Sequence, residues 1–127
     1  MIHLRLLACF SVILFAFVAA SSATPTDDAV AKQLAVQAAM TRARAFLTDM
    51  NPQKAVEVLE EQLPKVNGNS QYLVLLREAY RAHIGGLYLK GQSAEAKRFL
   101  ERLCILDPSA ANEPALRPQV DAPARKF

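Results

Sequence analysis

The stretch GQSAEAKRFLERLCILDP, residues 91–108, has the pattern of one short amphipathic helix between a turn and a stop. Gly91 marks the turn, and Asp107-Pro108 ends the helix because proline cannot continue it. The pattern predicts a helix from about Gln92 to Leu106 that pairs with the helix before Gly91. Its apolar residues recur at helical spacing, at Ala96, Phe99, Leu100, Leu103 and Ile105.

The first predicted helix runs from a cap at Thr26 or Asp27 to Met50. The segment contains no glycine and is rich in alanine, the residue with the lowest free-energy cost in a helix. Asn51-Pro52 then predicts a second helix, with Asn51 as its cap and Pro52 in its first position. Because the connection is so short, the two helices are expected to lie antiparallel. The expected buried stripe of the first helix is Val36, Ala39, Met40, Ala43, Phe46, Leu47 and Met50.

Two further segments complete a prediction of an all-α fold with about four helices. The second helix ends near Leu63, since Pro64 disfavours helical backbone before it, and a turn cluster follows. A third helix is expected from about Gln71 to Leu89, with Asn69 or Ser70 as its cap. The expected buried positions are Ala55, Val58, Leu59 and Leu63 in the second helix and Leu73, Leu76, Tyr80, His83, Ile84 and Leu87 in the third. The glutamates at 57, 60 and 61 are expected to face solvent.

The two predicted hairpins repeat each other at a constant offset along the chain. The offset aligns residues of similar character at expected packing positions, and it places Met50 opposite the turn residue Gly91. A repeated helical hairpin predicts stacking, because neither copy can bury its apolar face alone. The aligned pairs are Ala43 with Ile84, Phe46 with Leu87, Ala55 with Ala96, and Leu59 with Leu100.

On these residues the chain resembles the tetratricopeptide repeat family. The second hairpin departs from the family pattern at His83 and Ile84, and Gly85 or Gly86 supplies the close helix approach if the helix is shifted by one residue. The resemblance implies a short α-solenoid of stacked antiparallel hairpins over residues 24–108. The residues that carry it are Tyr80, Leu87, Gly91, Ala96, Leu100 and Pro108 in the second hairpin and Ala43, Phe46, Ala55 and Leu59 in the first.

The resemblance also implies a role in binding a protein or peptide partner. In the family, the first helix of each hairpin lines a concave groove, and the positions that match are Gln37, Met40, Arg44, Leu47 and Thr48, then Glu78, Arg81, Gly85, Tyr88 and Leu89. Arg44, Leu47, Arg81 and Tyr88 are the predicted partner-binding residues, since arginine pairs with carboxylates and tyrosine is a common interface anchor. The expected function is a non-catalytic scaffold or adaptor.

The N-terminal segment predicts export. Arg5 ends a short basic start, residues 6–20 are apolar apart from Ser11, and Ser21-Ser22-Ala23 supplies small residues of the kind that signal peptidase accepts. We expect a signal peptide over residues 1–23, with cleavage after Ala20 as the alternative, and a secreted or periplasmic protein. If the segment stays uncleaved, the chain is a membrane-anchored component of an envelope assembly.

Net charge and side-chain chemistry narrow the remaining classes of function. Without the signal the chain has 14 basic and 12 acidic residues, too even a balance to predict nucleic-acid binding. Cys104 is then alone, so no internal disulfide is expected, and His83 has no second ligand at metal-binding spacing. No nucleophile-base pair or phosphate loop is present in the sequence, so we expect no catalytic residues, no metal, no cofactor and no enzyme.

The last segment, Ser109 to Phe127, holds Pro114, Pro118 and Pro123 without apolar periodicity, and it is expected to be a Pro-rich disordered tail. Two hairpins are fewer than the three or so repeats that usually give a stable stack. The sequence therefore leaves open a homo-oligomer formed through an exposed end, including a purely structural, self-associating helical domain.

Overall fold

The computed structural model describes residues 25–118, and this part of the chain is all-α, with four helices and no strand. The predicted fold class is confirmed. Three short 3-10 helices follow the second and fourth helices. The helices are α1 (Pro25–Thr48), α2 (Pro52–Gln62), α3 (Ser70–Leu89) and α4 (Ser93–Leu106), and the 3-10 turns are Leu63–Lys65, Pro108–Asn112 and Pro114–Leu116.

Two asparagines start helices as the sequence predicts. The Asn51 side chain accepts from the Lys54 N–H at 3.3 Å, and the Asn69 side chain accepts from the Tyr72 N–H at 3.1 Å. Each bond satisfies a backbone donor that has no partner within the helix. The start predicted for α1 is wrong by a few residues, because α1 begins at Pro25 and residues 26–27 lie inside its first turn.

The two hairpins close with the same backbone turn, at the positions that the sequence repeat aligns. Met50 and Gly91 both have left-handed backbone, with φ of 57° and 73°. The residue after each donates its N–H to a carbonyl near the end of the preceding helix, which satisfies a carbonyl that lacks a helical partner. α1 therefore ends at Thr48 rather than at Met50. The two matching bonds are Asn51 N–H to Phe46 O at 2.8 Å and Gln92 N–H to Leu87 O at 2.9 Å.

The helices pack as two antiparallel hairpins side by side. α1 packs on α2 and α3 packs on α4, while α2 and α1 both contact α3. The small residues at the aligned crossing positions, Ala55 and Ala96, are fully buried. Of the other repeat positions, Ala43, Leu59, Tyr80 and Leu87 are buried, Phe46 and Leu100 are half-buried, and Pro108 opens the 3-10 turn after α4.

Polar contacts join the hairpins where α2 meets α3 and α4. The Tyr72 hydroxyl donates to the Leu59 carbonyl, which lies near the end of α2 where carbonyls lack helical partners. The Tyr80 hydroxyl donates to Glu60, and Arg102 of α4 bonds the same carboxylate at 3.1 Å. Burial raises the pKa of Tyr72 to about 12. Glu60 is therefore half-buried and not the solvent-facing residue that its pattern predicts.

Several other positions predicted to be buried are exposed or only half-buried in the structure. Tyr72 is fully buried, whereas Leu73 is only half-buried. Ile105 is exposed because it lies on the opposite side of α4 from Ala96, half a turn out of phase. Met50 is exposed because it belongs to the turn and not to α1.

The structure also corrects the first part of the predicted disordered tail. Residues 108–118 form two 3-10 turns against α3 and α4, and Ala110 and Leu116 are buried. Ala110 and Leu116 lie six residues apart in separate 3-10 helices, so no helical period marks them in the sequence. The predicted signal peptide and residues 119–127 of the predicted tail lie outside the described residues.

Candidate functional site

A cleft of about 790 Å³ lies between the α1–α2 turn and the C-terminal half of α3. It exists because the two interhelix turns lie at the same end of the molecule. The turn of the first hairpin contributes one wall, and the last turns of α3 contribute the floor and the other wall. The residues that shape it are Leu47, Met50, Ala82, Gly85, Gly86 and Leu89.

The floor of this cleft is a helix surface almost without side chains. Gly85 and Gly86 follow Ala82 by one helical turn, and all three line the cleft. A Cβ atom built at either glycine would meet no atom within 4 Å. The expected close approach of another helix at Gly85 or Gly86 is therefore wrong, since no described part of the chain uses the space above them.

Large apolar side chains stand at the sides of the floor. Met50 is 88% exposed and Leu89 is 91% exposed, and because both line the same cleft they form an exposed apolar patch rather than scattered single residues. Leu47 adds a half-buried apolar surface between the floor and the Met50 side. The rim is polar, with Gln53 and Gln92 on it. The lining also includes the charged residues Arg81, Lys90 and Glu95, so the cleft combines an apolar patch with polar and charged surroundings.

His83 closes the inner end of the cleft. Its ring is buried and meets the Phe99 ring edge-on, with centroids 4.4 Å apart. Burial lowers the pKa of His83 below its usual value, because the charged imidazolium loses hydration. The ring is thus neutral near pH 7, which fits the packed residue expected from its place on an apolar stripe.

Arg81, one of the four predicted partner-binding residues, is engaged within the chain. Its guanidinium bonds Glu113 at 2.6 and 3.1 Å and Asp107 at 3.0 Å. These carboxylates raise the pKa of Arg81, and the guanidinium in turn lowers the pKa of Glu113. The pKa of Asp107 is lowered first by the Ser109 hydroxyl and then by Arg81. The fork expected to bind a partner's carboxylate instead fastens residues 107–113 to α3.

The structure does not bring the other three predicted residues into one groove. Leu47 lines the cleft, Tyr88 lies in a neighbouring depression beside Pro118, and exposed Arg44 lies in a third depression beside Glu78. Met40, expected to face a groove, is buried. Of the expected groove positions, Leu47, Arg81, Gly85 and Leu89 do line the cleft, with Arg81 held there by its bonds to Glu113 and Asp107.

Sequence reasoning missed the wall that Met50 forms. Its apolar character and spacing placed it on the buried stripe of α1. The sequence signal for its exposure was its alignment with Gly91 in the repeat. A residue at that position belongs to the turn with left-handed backbone and not to the helix, so its side chain is not on the buried stripe. Read that way, the repeat itself predicts an exposed methionine at this end of the molecule.

Comparison of the chain with protein-family models, with curated proteins and with solved structures found no match. Over residues 25–118, no group of three or more histidine, cysteine, aspartate or glutamate side chains is placed to hold a metal ion. In the same region no helix combines the length and apolar character that crossing a membrane requires.

Proposed function

We propose that this chain is an exported, non-catalytic scaffold that binds a protein partner through the cleft between its two interhelix turns. The observation that carries the proposal is the open glycine floor between two almost fully exposed apolar side chains, Met50 and Leu89. Exposed apolar surface lowers the free energy of the system only when another molecule covers it and removes it from water.

The two glycines lower the stability of α3, and no contact within the chain's described residues offsets this loss. Glycine inside a helix costs about 1 kcal/mol relative to alanine, and Gly85 and Gly86 are adjacent in the interior of α3. Both have space for a larger side chain. A partner that approaches α3 closely recovers this cost through contacts that a Cβ would block.

The chemistry of the cleft favours one kind of occupant, an amphipathic helical segment with large apolar side chains. Burying an exposed methionine or leucine contributes about 1.5–3 kcal/mol each. The exposed Gln92 amide is placed to bond polar groups at the edge of such a segment, whereas the Gln53 amide donates to Glu57 at 3.0 Å. An amphipathic helix in an apolar groove is a common mode of peptide recognition.

Peptide selection with matched variants tests the cleft. Peptides are selected from a random displayed library on the wild-type protein, and their affinities are then measured for Gly86→Leu and for the control Gln71→Leu. Gln71 is exposed on α3 but lies outside the cleft. We expect selected peptides to carry apolar residues at helical spacing, to bind the Gln71 variant normally, and to lose at least about tenfold in affinity for Gly86→Leu. Equal affinity for both variants contradicts the proposal.

Export is part of the same proposal, and its support is the apolar run at residues 6–20 followed by Ser21-Ser22-Ala23. N-terminal sequencing of the protein isolated from its cells tests it. Thr24 or Ser21 as the first residue supports a cleaved signal peptide. An intact N-terminus in the membrane fraction favours the anchored envelope component instead.

A tetratricopeptide-like stack is the architecture proposed for this scaffold. It is supported by the repeated closing turn at Met50 and Gly91 and by buried alanines at both helix crossings, Ala55 and Ala96. In such a stack the cleft lies at the end where the hairpin turns meet. The proposed binding mode therefore differs from the concave groove that the sequence resemblance implies.

A further inference from the structure

The outer face of α1 carries two exposed large apolar side chains, Val30 and Leu34. Within residues 25–118 nothing covers positions 26–34, which are all exposed. Val30 is 51% exposed and Leu34 is 64% exposed, although both occupy a helix that also supplies Met40 and Ala43 to the core. α1 has 24 residues and is about 36 Å long, so its outer face is long enough for a helix pair.

The spacing along this face is that of a helix-pairing seam. Residues 31, 34, 38, 41 and 45 follow one another in alternating steps of three and four, the repeat that keeps one stripe turned toward a partner helix. All five are exposed. Three are alanines, which allow two helix backbones to approach closely. The seam consists of Ala31, Leu34, Ala38, Thr41 and Ala45.

The charges beside the seam fit a second copy of the same helix in the opposite direction. Asp27, four residues before Ala31, continues the seam into the first turn of α1, while Asp28 lies beside the seam there and Arg42 lies beside it near the other end. Arg42 follows Asp28 by close to four full helical turns, so both lie on the same edge of the seam. A parallel copy would place aspartate against aspartate, whereas an antiparallel copy places Asp28 opposite Arg42.

We propose that two copies of this chain pair through the outer faces of their α1 helices, antiparallel, with Leu34 of each against Ala38 of the other. A two-fold axis near residue 36 then matches the seam to itself, and the opposed helix dipoles add to the attraction. Asp28 already pairs with Lys32 of its own helix at 2.8 Å, and its carboxylate has further lone pairs for Arg42 of the second copy. The pairing is independent of the cleft, which lies beyond the end of the seam.

Sedimentation equilibrium of the purified protein over a wide concentration range tests the pairing. We expect a monomer–dimer equilibrium that Leu34→Asp weakens at least about tenfold, because each dimer then holds two buried charges. Ile105→Asp is the control, since Ile105 is an exposed apolar residue on α4. A protein that stays monomeric, or one weakened equally by Ile105→Asp, overturns the proposal. Circular dichroism checks that each variant keeps its helices.

A charge exchange tests the direction of the pairing. Asp28→Arg and Arg42→Asp are each expected to weaken the dimer, and the double variant is expected to restore it because the pair re-forms with reversed signs. A parallel dimer would show no restoration, since like charges would still face each other. Failure of the double variant to restore pairing therefore overturns the antiparallel arrangement, while leaving peptide binding in the cleft unaffected.

Discussion

At the scale of single residues, Met50 is the most informative position. It adopts the left-handed backbone that its counterpart Gly91 adopts without a side-chain penalty. Left-handed backbone costs a residue with a Cβ about 1–2 kcal/mol. A methionine retained at such a position is consistent with a use for its exposed side chain, which forms one wall of the cleft.

We therefore predict that Met50→Gly stabilises the fold by about 1 kcal/mol and weakens peptide binding in the cleft. Urea unfolding and peptide titration measure the two effects. Gly91→Ala is the matched control at the equivalent turn and is expected to destabilise by about 1 kcal/mol. A Met50→Gly protein that is less stable than wild type contradicts the strain assigned to this turn.

His83 predicts a specific dependence of stability on pH. Its pKa in the folded chain is lowered by burial, whereas an unfolded histidine titrates near 6.5. Below about pH 6.5 the unfolded state therefore binds more protons than the folded state, so the free energy of unfolding decreases as the pH falls. Above this pH the stabilising contribution of neutral His83 is fully present.

The variant His83→Leu isolates this effect because leucine cannot titrate and keeps an apolar contact with Phe99. Unfolding free energies are compared at about pH 7.5 and about pH 5.5. We expect the loss on acidification to be smaller in His83→Leu than in wild type. Identical losses in the two proteins mean that other groups carry the pH dependence.

At the scale of elements, the helix crossings within the hairpins are set by alanine. Ala55 and Ala96 are fully buried where α2 meets α1 and where α4 meets α3. Ala96→Phe and Ala55→Phe are each expected to cost about 1–3 kcal/mol or more through overpacking. Ala94→Phe, on an exposed side of α4, is the control. Unchanged thermal midpoints in both buried variants contradict the hairpin packing.

The C-terminal 3-10 turns behave as part of the folded domain. Leu116 is buried against α3, and Arg81 bonds Glu113 and Asp107 on either side of Ala110. We expect Leu116→Ala to cost about 2 kcal/mol and to speed amide exchange throughout residues 108–118. Ala115→Ser, an exposed neighbour, is expected to change neither. Rapid exchange of these amides in wild type contradicts the packing.

The elements were largely predictable because their signals are local. Asn51, Asn69 and Gly91 end or begin helices through bonds to neighbouring backbone, so the residue type alone identifies them. Tyr72 and the 108–118 segment were not predictable in the same way. Tyr72 bonds a carbonyl on another helix, and Leu116 packs against a part of α3 that is distant in the chain. Neither contact produces a periodic pattern in the sequence.

At the scale of the whole molecule, one continuous core joins both hairpins. Tyr72 and Tyr80 both lie where α2 meets α3, so in a Tyr88→Phe background tyrosine fluorescence reports that contact while circular dichroism reports all helices. We predict a single transition that coincides for both signals. Two separated transitions mean that the hairpins unfold independently, as weakly coupled repeats do.

The candidate site was less predictable than the fold, since it depends on how whole elements are placed. The family-derived groove assigned Arg81 to a partner, but the chain's own Glu113 and Asp107 hold it. The cleft arises from two turns that are far apart in the chain and meet only after the hairpins pack. Gly85 and Gly86 were visible in the sequence, but their open space was not.

The packed 108–118 segment makes the two ends of the molecule unlike. On the α3–α4 side, Ala110 and Leu116 already fill the surface against which a further element would pack. On the α1 side, no part of residues 25–118 covers positions 26–34. A subunit that can add neighbours at both ends grows into a filament, whereas one with a single open end stops at a closed pair. With residues 108–118 filling one end, the proposed α1 pairing predicts a closed dimer and no filament.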